Sequence, residues 1–256
     1  FGSREAPERQ RGGALAAGRP SWSRAGACGG CRCDYRMRGL RAAISFATWA
    51  YCLGDKPRDL ESRIESAYED RGQVKSRFIV APPYGQIHYL VAGPETGRVV
   101  VFCHGAAYTA HTWQVTGVLD SLADAGFRAL APDLPGHGLS SAADGPRGGF
   151  LRAFLGVARP AAAGSRVLVV TASMGGHFGL PFVLHSGGRS AAGYVAVAGV
   201  ADALDLDTKL STPALLIYGS KDPALKGRGP GRHERAFPAS RLVVLEGAPH
   251  AAHLRD

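Results

Sequence analysis

Several features that mark particular protein classes are scarce or missing in this chain of 256 residues. Its five cysteines (Cys28, Cys31, Cys33, Cys52 and Cys103) form no disulfide framework. The first three make a C-x-x-C-x-C run, but no fourth Cys or His lies near enough to close a tetrahedral site. The run is therefore read as an accident of a low-complexity segment, and no metal or bound cofactor is expected. Apolar runs long enough to be confident membrane spans are also missing. The nearest approach, Ala42 to Leu53 behind the basic flank Arg38-Gly-Leu-Arg41, has the length of a signal-peptide core. It fits a targeting or anchor segment and, equally, an amphipathic or unstructured lead-in, so membrane contact is expected only through residues 38–53. Lysine is absent from the first 50 residues, where nine Arg stand against Glu5, Glu8 and Asp34. That head carries +6 of the formal +9 charge, so the basicity belongs mostly to the head and no nucleic-acid partner is expected.

What is present reads as three stretches. Residues 1–36 are rich in Gly, Ala, Arg and Ser without apolar periodicity, and are expected to be a disordered head. Residues 37–75 hold the apolar run and a strongly charged stretch, Asp55 to Arg71, read as linker or surface helix. Residues 76–256 hold a domain long enough for a sizeable core. Within it, Arg77–Ala81 and Gln86–Val91, separated by Pro82-Pro-Tyr-Gly85, read as a β-hairpin. The runs Arg98–His104, Arg128–Pro132, Val167–Thr171, Gly193–Ala198, Pro213–Tyr218 and Leu242–Glu246 read as further strands. Helical segments are expected at Trp113–Ala125, Phe150–Ala158 and His177–His185, whereas the Gly/Arg-rich Leu225–Arg232 is expected to be a flexible loop. Alternation of strands and helices calls for right-handed crossovers, hence an α/β fold with a mostly parallel, doubly wound sheet and an antiparallel hairpin at its edge.

Ligands of such sheets sit outside the carboxyl ends of the strands. Those ends carry His104-Gly105-Ala106, Asp133, Ser173, Asp222 and His250. Ser173 lies in Thr171-Ala-Ser-Met-Gly175, between a buried strand and a helix, the setting of a nucleophile elbow. Thr171 takes the place of the usual first glycine, so packing on that side must accommodate a β-branched residue. A serine hydroxyl needs an adjacent base and an acid that orients the base. The order Ser173, Asp222, His250, each after a successive strand, supplies them. Asp202, Asp205 and Asp207 rival Asp222 as the acid, Asp222 also suits a helix N-cap, and His253 rivals His250. The backbone N–H groups of Ala106 and Met174 are the expected oxyanion hole. His104 is expected to support its loop, and Asp133 and His137 to order the Pro/Gly loop around them. His88, His111, His177, His185 and His233 are read as surface or structural residues, and Cys103 as a small buried hydrophobe.

These residues resemble the α/β-hydrolase superfamily over roughly residues 76–256. Within it they are similar to the family of α/β-hydrolase domain-containing protein 14, through His104-Gly105, Thr112-Trp113, Leu122-Ala-Asp-Ala-Gly-Phe-Arg-Ala129, Asp133-Leu-Pro-Gly136, Leu180-Pro-Phe182, Thr212–Gly219 and Asp222-Pro223. That family has Ser-x-Ser-x-Ser at the elbow and Gly-Ala-Gly-His at the histidine turn, where this chain has Thr171-Ala-Ser-Met-Gly175 and Gly247-Ala-Pro-His250. The resemblance implies an α/β-hydrolase fold without a cap domain, in keeping with the short 199–212 connection. It also implies a closing helix that is expected to be missing after His250. The reaction it implies is hydrolysis of small acyl esters, thioesters or acylated amines, including removal of acyl groups from protein lysine, with coenzyme A as a candidate acceptor. A monomer is expected, cytoplasmic on the resemblance, or in an organelle or the secretory route if residues 37–53 target it. Two other readings stay open: an acyltransferase, and a non-catalytic interaction module on the same fold.

Overall fold

A computed structural model describes residues 72–142, 145–161, 166–185, 187–202, 208–227 and 229–254. The head at 1–36, the 37–75 segment as far as residue 71, and the C-x-x-C-x-C run lie outside the described residues. Among the described residues Val74 is the first buried one, and the expected hairpin follows as β1 (Lys75–Val80) and β2 (Gln86–Ala92). The turn between them is closed by Tyr84 N–H donating to the Ala81 carbonyl and Ala81 N–H to the Gly85 carbonyl. The other strands are β3 (Val99–Cys103), β4 (Arg128–Pro132), β5 (Val167–Ala172), β6 (Ala191–Val197), β7 (Ala214–Gly219) and β8 (Ser240–Leu245).

All eight strands join one sheet in the order β1-β2-β4-β3-β5-β6-β7-β8. β2 pairs antiparallel with β1 and β4, and every pair from β4 to β8 is parallel. Period-2 alternation sorts the apolar side chains onto two faces. Val101, Cys103, Val169, Tyr194, Ala196, Leu216 and Tyr218 meet α3 (Arg147–Ala158) and α4 (Gly176–His185) on one side. Phe102, Val170, Val195, Val197 and Ile217 meet α1 (His111–Val115) and α2 (Val118–Asp124) on the other. A helix-covered sheet with both faces buried explains why its central strands read as unbroken apolar runs. No helix among the described residues is long and apolar enough to cross a membrane.

Two sequence expectations need correction. The single helix expected at Trp113–Ala125 is two helices, because Gly117 takes φ +69° between them. The Thr116 hydroxyl, donating to the Trp113 carbonyl, helps to end the first. The expected loop at Leu225–Arg232 is instead a 3-10 turn (Pro223–Lys226) followed by α5 (Gly229–Ala236). Pro230 sits in the first turn of α5, where its missing N–H costs nothing. His233 and Ala236 then bury at helical spacing while Glu234 and Arg235 stay outside. Local glycine content had hidden that short amphipathic pattern.

Thr171 at the elbow is accommodated by a glycine on the facing helix. A Cβ on Gly179 would collide with the Thr171 Cγ2 and lie 3.1 Å from the Val169 Cγ1, so the room lost at Thr171 is recovered at Gly179. The Thr171 hydroxyl shares a hydrogen bond of 3.0 Å with the Tyr194 hydroxyl beneath the sheet. Gly179→Ala is expected to destabilise by about 1–3 kcal/mol through overpacking, despite the better helix propensity of alanine. In a Thr171→Ser background, which removes the methyl and keeps the hydroxyl, the same change should fall within about 1 kcal/mol of neutral. Urea unfolding of the four proteins measures the coupling. Equal costs in both backgrounds would sink the assignment.

Candidate active site

Ser173 sits where β5 ends and α4 begins, on the 3-10 turn Ser173–Gly175. Its φ is +45°, a left-handed conformation that costs a non-glycine residue about 1–2 kcal/mol. A second residue of this kind, Ala198 at φ +47°, ends the neighbouring strand β6. Strain of this sort persists only where surrounding structure enforces it. At the elbow the enforcement is visible. A side chain on Gly175 would strike the Cys103 carbonyl and stand 2.8 Å from the His104 carbonyl oxygen, so α4 starts hard against the end of β3. On the other side, a Cβ on Gly176 would lie 2.6 Å from the Val200 Cγ2.

Asp222 and His250 come from turns stitched to one another. Gly219 ends β7 so close to the next turn that a Cβ there would strike the carbonyls of Ala248 and Pro249. Ser220 N–H donates to the Leu245 carbonyl at 2.9 Å and Lys221 N–H to the Ala248 carbonyl at 3.0 Å. The Ser220 hydroxyl accepts from Gly247 N–H at 2.7 Å. This seam sets Asp222 Oδ2 2.9 Å from His250 Nδ1, and His250 Nε2 2.8 Å from the Ser173 Oγ. Asp222 Oδ1 accepts from Ala224 N–H at 2.8 Å, so one carboxylate caps the 3-10 turn and holds the imidazole at once. The turn cap and the histidine contact, alternatives on sequence, come from the same residue. The Asp222 side chain is 1% exposed and that of His250 49% exposed, so the orienting group is dry and the ring opens to solvent.

The loop after β3 runs beside Ser173. A Cβ on Gly105 would lie 3.9 Å from the Ser173 Cβ and 3.3 Å from the Tyr108 ring. His104 is buried and donates Nδ1–H to the Gly105 carbonyl at 2.8 Å, while its Nε2 accepts from Leu134 N–H at 3.0 Å. Burial lowers its pKa to about 4, so it is a neutral strut between two loops. Ala106 is exposed and Met174 half-buried.

The rivals separate by location. Asp202 is exposed, and Asp205 and Asp207 lie outside the described residues. His253 is 5% exposed, stacks on Trp113 at 5.0 Å and 29°, and has no hydrogen-bond partner at either ring nitrogen among the described residues. Burial, with a lesser contribution from His250, lowers its pKa to about 4. His233 stacks on Tyr194 and donates Nδ1–H to the Gly229 carbonyl at 3.0 Å. His177 is half-buried and His185 exposed. Cys103 is buried, with its thiol pushed up to about 12 by burial. Among the described residues no group of three His, Cys, Asp or Glu side chains is arranged to hold a metal.

Sequence reasoning missed a second Ser–His–Asp chain. Asp133 Oδ2 accepts from His88 Nδ1 at 2.8 Å, and His88 Nε2 lies 2.8 Å from the Ser76 Oγ. Asp133 also accepts from Leu139 N–H at 2.9 Å and Ala110 N–H at 2.7 Å. Burial would raise its pKa, but the bonds from His88, Leu139 and Ala110 outweigh that and lower it. His88 and Asp133 are fully buried and Ser76 stands within β1 without positive φ, so this chain orders the loop after β4. His111 stacks on His88 at 6.1 Å.

The two histidines held near pKa 4 also set a pH response. Each is neutral when folded but takes up a proton near pH 6.5 when unfolded. Their contribution is therefore complete above pH 6.5 and is lost as pH falls towards 4. His253→Phe, which keeps the stacking on Trp113, should flatten the acid limb of stability against pH by up to about 1.4 kcal/mol per pH unit. Chemical unfolding between pH 4 and 7 reads this, and an unchanged slope would show that His253 titrates normally.

Residues 100–213 match the α/β hydrolase family. "Putative protein-lysine deacylase ABHD14B" of Rattus norvegicus is 36% identical over 174 residues, covering 64% of this chain and 81% of that protein. Protein ABHD14A of the same organism is 34% identical over 177 residues, covering 66% and 72%. A CIB-like hydrolase from Thermoplasma acidophilum shares the fold, with a TM-score of 0.60 at 23% identity over 72% of this chain and 91% of its own. A carboxyl-edge serine on a strained turn, eight strands in this order and these relatives agree, and the chain belongs to the α/β-hydrolase family, with ABHD14 proteins among its relatives.

Proposed function

We propose that the protein is a serine hydrolase that cleaves small acyl esters, thioesters or acylated amines through an acyl-enzyme. The observation that carries this is His250 bridging Ser173 and Asp222 at 2.8 and 2.9 Å. In this reading Nε2 takes the hydroxyl proton as Ser173 Oγ attacks the acyl carbonyl, and Asp222 holds the tautomer and stabilises the imidazolium. The N–H groups of Ala106 and Met174 meet the developing oxyanion, as fixed dipoles that need no reorientation when charge develops. His250 then returns the proton to the leaving alcohol, thiol or amine. Water activated by the same imidazole releases the acid and frees Ser173.

The half-exposed His250 ring favours a substrate whose small acyl group sits at the end of a bulky carrier, since the leaving-group side is open. An acylated protein lysine has that shape, and the name of the ABHD14B relative points the same way. Transfer of the acyl group to coenzyme A would use the same acyl-enzyme, with the thiol replacing water. A purely non-catalytic interaction module finds less support, because it has no use for a left-handed Ser173.

A fluorophosphonate probe should label the parent at Ser173, and Ser173→Ala should abolish labelling. Asp222→Asn should lower kcat for p-nitrophenyl acetate by about 10³–10⁴-fold with a much smaller change in KM. A folded parent that neither labels nor turns over the ester would overturn the proposal.

A further inference from the structure

From Gly145 to Ala201 the chain contains no Asp, no Glu and no Lys, but it contains Arg147, Arg152, Arg159, Arg166 and Arg189 with His177 and His185. This stretch supplies α3 and α4, the whole helical cover over the centre of one sheet face. The opposite cover, α1 and α2, carries Asp120 and Asp124 and no Arg or Lys. The two layers thus have opposite sign, which a merely solvated surface with mixed charges does not require.

The cationic layer also contains a cavity of about 140 Å³ between the two helices, lined by Gly148, Gly149, Arg152, Phe182, His185 and Ser190. Arg152 comes from α3 and His185 from the last turn of α4, both exposed, so two helices contribute nitrogen-bearing side chains to its lining. Among the described residues neither is in an ion pair, and no carboxylate lines the cavity. The Gly148 and Gly149 positions present no side chain to fill it, and Phe182 gives it one apolar wall. Arginine presents a fork of donors that matches a tetrahedral oxyanion two oxygens at a time, while an imidazole N–H and a hydroxyl can take the others.

We propose that this cavity is a binding site for a phosphate group, either inorganic phosphate or the phosphate of a small ester whose organic part lies along Phe182. The site is separate from the acyl-transfer centre. His185 closes the helix that begins at Gly176 beside Ser173, so at 1.5 Å per residue the cavity lies roughly 14 Å along α4 from the elbow. It does not depend on the serine hydrolase reading.

The test is calorimetric titration of the full chain with sodium phosphate and with adenosine monophosphate, each against sodium chloride at matched ionic strength. Saturable phosphate binding with Kd of about 1 mM or tighter is expected, weakened at least tenfold in Arg152→Gln and in His185→Gln. Arg241→Gln, an exposed arginine on the far edge strand β8, should change it less than twofold. Tighter binding of the nucleotide would assign the site to phosphate esters, and equal binding to phosphate itself. Fluorophosphonate labelling of Ser173 should be the same in Arg152→Gln as in the parent, which separates this site from the catalytic one. Phosphate heats no larger than those of chloride, or an equal loss in Arg241→Gln, would overturn the proposal.

Discussion

The carbonyl oxygens of Cys103 and His104 occupy the space where a side chain on Gly175 would stand. The turn behind Ser173 can therefore close only with glycine there, and closing it drives Ser173 to φ +45°. The same device recurs at Gly219, where the carbonyls of Ala248 and Pro249 fill the side-chain position and pin the turn of Asp222 to the turn of His250. Two backbone contacts too close for any Cβ thus fix three side chains on three turns. A pair of hydrogen bonds at 2.8 and 2.9 Å follows from that geometry without any adjustment of the helices. Small residues here supply position through their absence of side chain, which is how a site can be held to a few tenths of an ångström by a scaffold of ordinary sheet and helix.

Most of this was legible in the sequence because it rests on patterns that survive without tertiary context. Buried parallel strands read as continuous apolar runs, and all of the expected ones are present. The order Ser173, Asp222, His250 followed from strand order, since each stands just past a carboxyl end. What could not be read were features decided by partners distant in the chain. Thr171 looked like a defect in the elbow until Gly179, eight residues on, was seen to make room for its methyl. The break at Gly117 and the helix at Gly229–Ala236 depend on one left-handed residue and on burial of His233, neither of which a local glycine count reports. The two contacts of Asp222, with the Ala224 N–H and with the His250 ring, require knowing that its two oxygens face different turns.

Among the described residues the same three residue types are hydrogen-bonded in the same order twice, and one of the two sets has the surroundings of a nucleophile. Ser76–His88–Asp133 matches Ser173–His250–Asp222 in distance. Its imidazole, however, is fully buried, and its serine stands in a regular strand whose backbone N–H groups serve the sheet ladder. Its carboxylate is committed to two loop amides as well. Such a set is a structural tie, worth its hydrogen bonds and little else. Distances alone do not separate chemistry from architecture. Backbone strain, solvent access of the base and the position of the serine past a strand end do.

Solvent access also decides which histidines can exchange protons. Burial holds His104 and His253 near pKa 4, so neither carries a charge at neutral pH, and both act as shaped, flat packing units. His253 lies three residues from His250, and a charge on it would oppose a positive charge on the His250 ring. Keeping it neutral, stacked on Trp113, removes that opposition while its ring still anchors the turn on which His250 stands. His250 is thus the one histidine of the pair left half-exposed, with a dry carboxylate behind it and its ring open to solvent. Sequence position favoured His250 over His253, since it directly follows the last strand and its turn, and the dielectric around each ring separates the two further.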